Sequence, residues 1–139
     1  TEPIKLIIDS EGGDTRCGLI LSDTIKASKA PVYTFGRTAY SMAAILLAAG
    51  EPGHRYVYNH SHAMLHLPSG QFQGDQKDHK TWANEMEKVK DRLVGVLVDG
   101  GVKKTKDEIL VDIDRQFWLT GQDIIDYGIA DKIIKPGDL

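Results

Sequence analysis

A serine at a helix start and a histidine at a strand end are the two side chains best placed here for covalent chemistry. Ser41 lies in Gly36-Arg37-Thr38-Ala39-Tyr40-Ser41-Met42-Ala43-Ala44, where a strand-like run gives way to an apolar helix. His66 closes Ala63-Met64-Leu65-His66-Leu67-Pro68, a short apolar run stopped by proline. Such a pair equips a serine hydrolase: the imidazole takes the hydroxyl proton, and the helix N-terminus favours the negative charge that develops. A plain N-cap serine has the same local geometry, so the surroundings must add weight. Gly12-Gly13 follows the first apolar strand directly, and glycines there permit positive φ and close backbone approach. The Gly13 and Met42 N–H groups are expected to form an oxyanion hole, two backbone donors aimed at a tetrahedral intermediate.

Other reactive side chains carry blander readings. His60, His62 and His66 are spaced along one run, and His62 and His66 share strand parity, but two ligands with no neighbouring cysteine or carboxylate make a poor metal site. His60 and His62 read as ordinary strand or loop residues, and no metal is expected. Cys17 reads as a buried helix residue. Arg37 and Arg55 read as partners in surface salt bridges. Lys103-Lys104-Thr105-Lys106 reads as a solvated loop.

The elements that must position Ser41 and His66 follow from hydrophobic spacing. Ile4 to Asp9 is expected as a buried strand, Ser10 to Asp14 as a turn and Thr15 to Ala27 as a helix. Pro31–Phe35, Arg55–Tyr58 and Ala63–Leu67 read as three further strands, and Ser41–Ala49 as a helix ended by Gly50. Ser69 to Gly74 is a glycine-punctuated extended stretch. From Gln76 to Asp99 the residues Trp82, Met86, Val89, Leu93 and Val96 step by four and three in turn, a single apolar stripe on a long helix. Lys106–Val111 reads as a short helix leading into Asp112–Leu119. Gly121–Tyr127 reads as a helix with Gly128 as its C-cap, and Ile129–Ile134 as the last strand. Strands alternating with helices define an α/β fold.

A chain of 139 residues is about one domain. A net charge of −3 gives no reason to expect a nucleic-acid partner. No run approaches the ~18 to 20 apolar residues of a membrane span, so no membrane partner is expected. The single cysteine excludes an intrachain disulfide and suits a reducing compartment, so a cytoplasmic location is expected. No signal peptide is visible, and Thr1-Glu2-Pro3 leads at once into a strand, which suits either a native start further upstream or a shortened chain.

In this order the pieces resemble the Clp protease proteolytic subunit (ClpP) family. The resemblance rests on Ser10-Glu11-Gly12-Gly13, Ser41-Met42, Leu46-Leu47-Ala48-Ala49-Gly50 and Met64-Leu65-His66-Leu67-Pro68. It extends through Phe72-Gln73-Gly74, Trp118-Leu119-Thr120 and Tyr127-Gly128-Ile129-Ala130-Asp131, and so spans nearly the whole chain as a single domain. It implies a crotonase-like fold of βαβ units with a protruding handle helix. It further implies a serine peptidase acting on unfolded polypeptides, assembled as two stacked seven-membered rings around a chamber and fed by an AAA+ unfoldase. No cofactor is implied, and no P-loop is present. The family's N-terminal strands and axial loop are expected to have no counterpart in this chain.

The chain departs from the family where the third triad member belongs. Arg115-Gln116-Phe117-Trp118 matches an Arg-Asp-x-Phe segment, so Gln116 stands in the aspartate's place. An amide oxygen can accept the His66 Nδ1–H but brings no charge to stabilise the imidazolium. Asp112 and Asp114 would share the face of Gln116 if this stretch were a strand, and a rescue by Asp114 would need a bulge or register shift. Gly36 lies five residues before Ser41 where the family has four, and Tyr40 replaces a smaller alanine. Two rival readings follow: a weakly active or inactive ring subunit, favoured by Gln116, and a crotonase-type acyl-CoA enzyme, for which no well-placed carboxylate is seen.

Overall fold

Runs of β-branched and aromatic residues build the sheet, and the helices between them return the chain to its parallel edge. The computed structural model describes residues 1–138. The elements run β1 (Ile4–Ser10), α1 (Thr15–Ala27), β2 (Val32–Tyr40), α2 (Met42–Ala48), β3 (Arg55–Leu65), α3 (Gln76–Asp99), α4 (Lys106–Asp112), β4 (Phe117–Thr120), α5 (Gln122–Tyr127) and β5 (Lys132–Ile133). Strands β1, β2 and β3 pair in parallel, as βαβ connections require. Strand β4 lies antiparallel on β3, and β5 pairs in parallel with the start of β3. The fold is α/β, as expected.

The core lies between one sheet face and the helices. Leu47, Val57, Val94, Leu97, Ile109 and Ile124 are fully buried there. Close contacts set the helix positions. A Cβ on Gly18 of α1 would come within 2.1 Å of Met42 Cγ, so only glycine lets α1 lie this close to the start of α2. Thr34 Oγ1 of β2 donates to the Leu47 carbonyl at 2.9 Å, satisfying a buried hydroxyl on a helix-end acceptor.

Several expectations need correction. The runs Arg55–Tyr58 and Ala63–Leu67 belong to one strand, β3, bent by a bulge. Gly36 pairs with Val57 and Thr38 with His62, so β3 carries extra residues between these pairs. Ser61 satisfies the interrupted backbone: its Oγ accepts from Tyr58 N–H at 2.7 Å and donates to the Gly36 carbonyl at 2.7 Å. Strand β2 continues past Phe35 to Tyr40. Asp112 ends α4 and the following strand starts at Phe117, so Asp112, Asp114 and Gln116 do not share a strand face. The last strand shrinks to Lys132–Ile133.

The stripe of α3 is buried only where the helix meets the body. Val89, Leu93, Val94 and Leu97 are buried, whereas Trp82 and Met86 are half-buried. At ~1.5 Å per residue, so long a helix outruns the domain it packs on. Its first turns find another partner: Trp82 stacks on Phe72 with ring centroids 5.8 Å apart.

Cys17 is exposed rather than buried, because it stands in the first turn of α1, where Asp14 accepts from its backbone N–H at 2.8 Å. Arg55 is buried, not a surface residue. Its Nη2 meets Asp131 Oδ1 at 2.7 Å and its Nε meets Oδ2 at 2.9 Å, the two residues lying 76 positions apart. The same guanidinium donates to the carbonyls of Ala48 and Gly100, the ends of α2 and α3.

Candidate active site

Between the last residue of β2 and the first of α2 there is room for one residue, Ser41. It takes φ 57° and ψ −123°, and among the described residues it is the only non-glycine with positive φ. Such backbone costs on the order of 1–3 kcal/mol and persists where its surroundings over-determine it. Here Ser41 N–H donates to the Met64 carbonyl at 2.7 Å, Ala44 N–H donates to the Ser41 carbonyl at 3.0 Å, and Met42, Ala43 and Ala44 are buried. The sharp strand-to-helix turn leaves the side chain uncommitted to a helix cap, with its Oγ available at the surface of the domain.

His66 follows the end of β3 directly. Its Nε2 lies 2.9 Å from Ser41 Oγ, a hydrogen bond between residues that are both half-buried. The next residue is anchored, with Leu67 N–H donating to the Ile113 carbonyl at 3.2 Å. This is hydroxyl–imidazole geometry from which a proton can pass to nitrogen as the oxygen attacks.

The glycine turn comes close to the serine, with the two glycines in different roles. Gly12 has φ +100°, and a Cβ there would lie 2.7 Å from the Tyr40 carbonyl and 3.0 Å from Ser41 Cβ. Its N–H donates to Ser10 Oγ at 3.1 Å. Gly13 is exposed, with nothing within 4 Å of a Cβ built on it. The Gly13 N–H has no acceptor among the described residues. Met42, as the first residue of α2, has no intrahelical acceptor for its N–H. Sequence reasoning singled out Gly13 and missed the steric demand at Gly12, although both were visible as a pair.

Beside Ser41 and His66 a narrow apolar cavity of about 20 Å³ is lined by Met42, Ile45, Leu65, Pro68 and Leu93, among others. Lys90 also lines it, with its charge paired to Glu87 Oε2 at 2.5 Å.

No carboxylate joins His66 by a hydrogen bond among the described residues. Met64 pairs with Trp118 and Leu65 with Phe117, the last pair of the ladder, and Gln116 precedes the strand. Gln116 is exposed and its side chain makes no hydrogen bond among the described residues. Asp112 accepts from the Tyr127 hydroxyl at 2.9 Å, and Asp114 pairs with Arg115 at 3.2 Å. Burial, with the Asp112 carboxylate beside it, pushes the Tyr127 phenol well up, so it stays a donor. His60 and His62 are exposed on β3, and both line an open concavity with Asp9, Arg37 and Tyr58, apart from Ser41.

Compared with known protein families, the chain matches the family model described as Clp protease over residues 1–137.

Proposed function

The chain belongs to the Clp protease family, and from that premise we propose that it is a serine peptidase cleaving unfolded polypeptides or short peptides. Ser41 Oγ attacks the peptide carbonyl while His66 Nε2 takes its proton. The resulting oxyanion accepts hydrogen bonds from the Gly13 and Met42 N–H groups. Protonated His66 then gives its proton to the leaving amine, and water repeats the cycle to release the acyl group. Gln116 orients His66 through its amide oxygen.

The observation that carries this reading is the 2.9 Å contact between His66 Nε2 and the hydroxyl of a serine held at positive φ at the head of a helix. An N-cap serine in its ordinary role has extended backbone and caps its helix with its side chain; Ser41 does neither.

The wider arrangement belongs to the same proposal. Residues 1–139 act as one domain that assembles into rings, seven-membered by family likeness, which enclose the sites and receive substrate from an AAA+ unfoldase. No helix of the described residues is long and apolar enough to cross a membrane, and a cytoplasmic setting suits the proposal. Gln116 favours a second reading, in which the chain is a weakly active or inactive ring subunit. Labelling with a fluorophosphonate, read by intact mass, separates the two. One adduct on the parent protein and none on Ser41→Ala supports the peptidase; no adduct on folded protein supports the second reading.

A further inference from the structure

The two N–H groups assigned to the oxyanion hole are carried by different helices. Gly13 immediately precedes Asp14, the N-cap of α1, whose side chain accepts from Cys17 N–H at 2.8 Å. Met42 is the first residue of α2 and is 4% exposed. The heads of the two helices lie close together: a Cβ on Gly12 would stand 3.2 Å from Met42 N. Two donors serve a tetrahedral intermediate only when both reach the same oxygen, so something must fix α1 against α2.

Gly18 meets that need. It is buried in the body of α1, with Ser22 and Ile25 buried further along the same helix. The Met42 side chain lies across it: a Cβ at residue 18 would stand 2.6 Å from Met42 Sδ and 2.7 Å from Met42 Cε. Cβ atoms do not come so near, so the thioether fills the space that any other side chain at residue 18 would need. A glycine inside a helix costs about 1 kcal/mol relative to alanine, and α1 carries one where the first side chain of α2 is seated. Gly18 follows Gly13 by five residues, at the start of one helix. Each side of the contact is thus joined to an oxyanion donor, Met42 directly and Gly18 through the first turn of α1.

We propose that Gly18 is a positioning residue for the serine–histidine site: the Met42 thioether seated on it sets the separation of the Gly13 and Met42 N–H groups. The proposal rests on the serine-peptidase reading and deepens it by naming what holds the oxyanion hole together. A side chain at residue 18 pushes α1 and α2 apart, and the donor pair opens with them. Ser41, held at positive φ next to Met42, shifts with its neighbour. The loss falls on the transition state, which uses both donors at full strength, and not on the bound peptide.

A double-mutant cycle tests this. Gly18→Ala is expected to lower kcat on a fluorogenic peptide about 100-fold with KM within about twofold, the pattern of a lost oxyanion contact. The fluorophosphonate labelling rate falls in step, while the final labelled fraction stays complete, because each folded site still reacts. Met42→Ala, which empties the seat and keeps the N–H, is expected to slow labelling about tenfold. This arm stands even where Gly18→Ala does not fold. Added to Met42→Ala, Gly18→Ala finds room for its methyl group and is expected to cost at most about threefold more. Equal cost of Gly18→Ala in the two backgrounds overturns the proposal. So does a reduced labelled fraction at the parent rate, which marks partial unfolding, or an unchanged rate in Met42→Ala. Parent protein that neither labels nor cleaves overturns the peptidase reading and the proposal with it. Parent protein that labels, with Gly18→Ala labelling equally fast, overturns the proposal alone.

Discussion

Leu65, the residue before His66, and Phe117, the residue after Gln116, form the last pair of the β3–β4 ladder. Gln116, next to that pair, is an uncharged, exposed side chain. The nearby carboxylates of Asp112 and Asp114 are committed to Tyr127 and Arg115.

A carboxylate at this position stabilises the imidazolium, and its replacement by an amide in a trypsin-type triad costs about 10⁴ in kcat. Gln116→Asp is therefore expected to raise kcat on a fluorogenic peptide by roughly 10² to 10⁴. Gln116→Ala is expected to lower kcat, because it removes the amide oxygen that orients His66 in the proposed mechanism. An unchanged rate in Gln116→Asp would show that residue 116 does not reach His66 during turnover.

The two glycines of the first turn are expected to differ. Gly12→Ala must place a methyl group 2.7 Å from the Tyr40 carbonyl and 3.0 Å from Ser41 Cβ, at φ +100°. It should displace the serine and cut fluorophosphonate labelling by at least about 100-fold, the effect of a misplaced reacting group. Gly13→Ala meets open space and should label within about threefold of the parent, since its N–H is kept. Equal loss in the two variants would contradict the close-approach role of Gly12.

Asp131 makes stability depend on acid. Burial by itself pushes its carboxyl up, but hydrogen bonds and charge from Arg55, with the Arg55 and Gly53 N–H groups, outweigh burial and hold it below the usual carboxylate range. A carboxyl depressed in the folded state contributes stability above its unfolded value near 3.9, and this is lost as pH falls through the folded value. Tm should fall as pH drops below about 4. Asp131→Asn leaves the buried Arg55 charge without its counter-ion and should cost about 3–5 kcal/mol near neutrality. Its Tm should also depend less on acid than that of the parent, which urea and thermal melts at a series of pH values would check.

Ser61 holds the bulge of β3 with two hydrogen bonds to backbone groups of β2 and β3. Ser61→Ala leaves a half-buried Tyr58 N–H and a buried Gly36 carbonyl without a partner and should cost about 1–3 kcal/mol. Ser61→Thr keeps the hydroxyl but adds a methyl to a site only 3% exposed, and is expected to recover part of that loss. A urea midpoint for Ser61→Ala equal to that of the parent would remove Ser61 from this role.

Local signals made the site legible and long-range ones hid its support. Ser41 stood out because a strand-like run gives way there to an apolar helix, His66 because it closes a short apolar run before a proline, and helix α3 because its apolar spacing is regular. The same spacing could not say that Trp82 packs on Phe72 rather than on the body. Strand β3 looked like two because Asn59-His60-Ser61 is polar. That polarity serves a bulge whose backbone Ser61 satisfies. The Arg55–Asp131 pair joins residues 76 apart, and no sequence pattern announces such a partner. The positive φ of Ser41 was equally silent, since serine is not a residue that advertises it.

The Arg55 guanidinium also sets an order of assembly during synthesis. It sits behind the far end of the helix that begins next to Ser41, bound to the Ala48 carbonyl, and its counter-ion is Asp131. A ribosome delivers Ser41, His66 and the whole of α3 well before residue 131 emerges. Until then the cation must stay in water or remain buried without its counter-ion. The ion pair behind the helix that follows Ser41 can thus close only after Asp131 has been made.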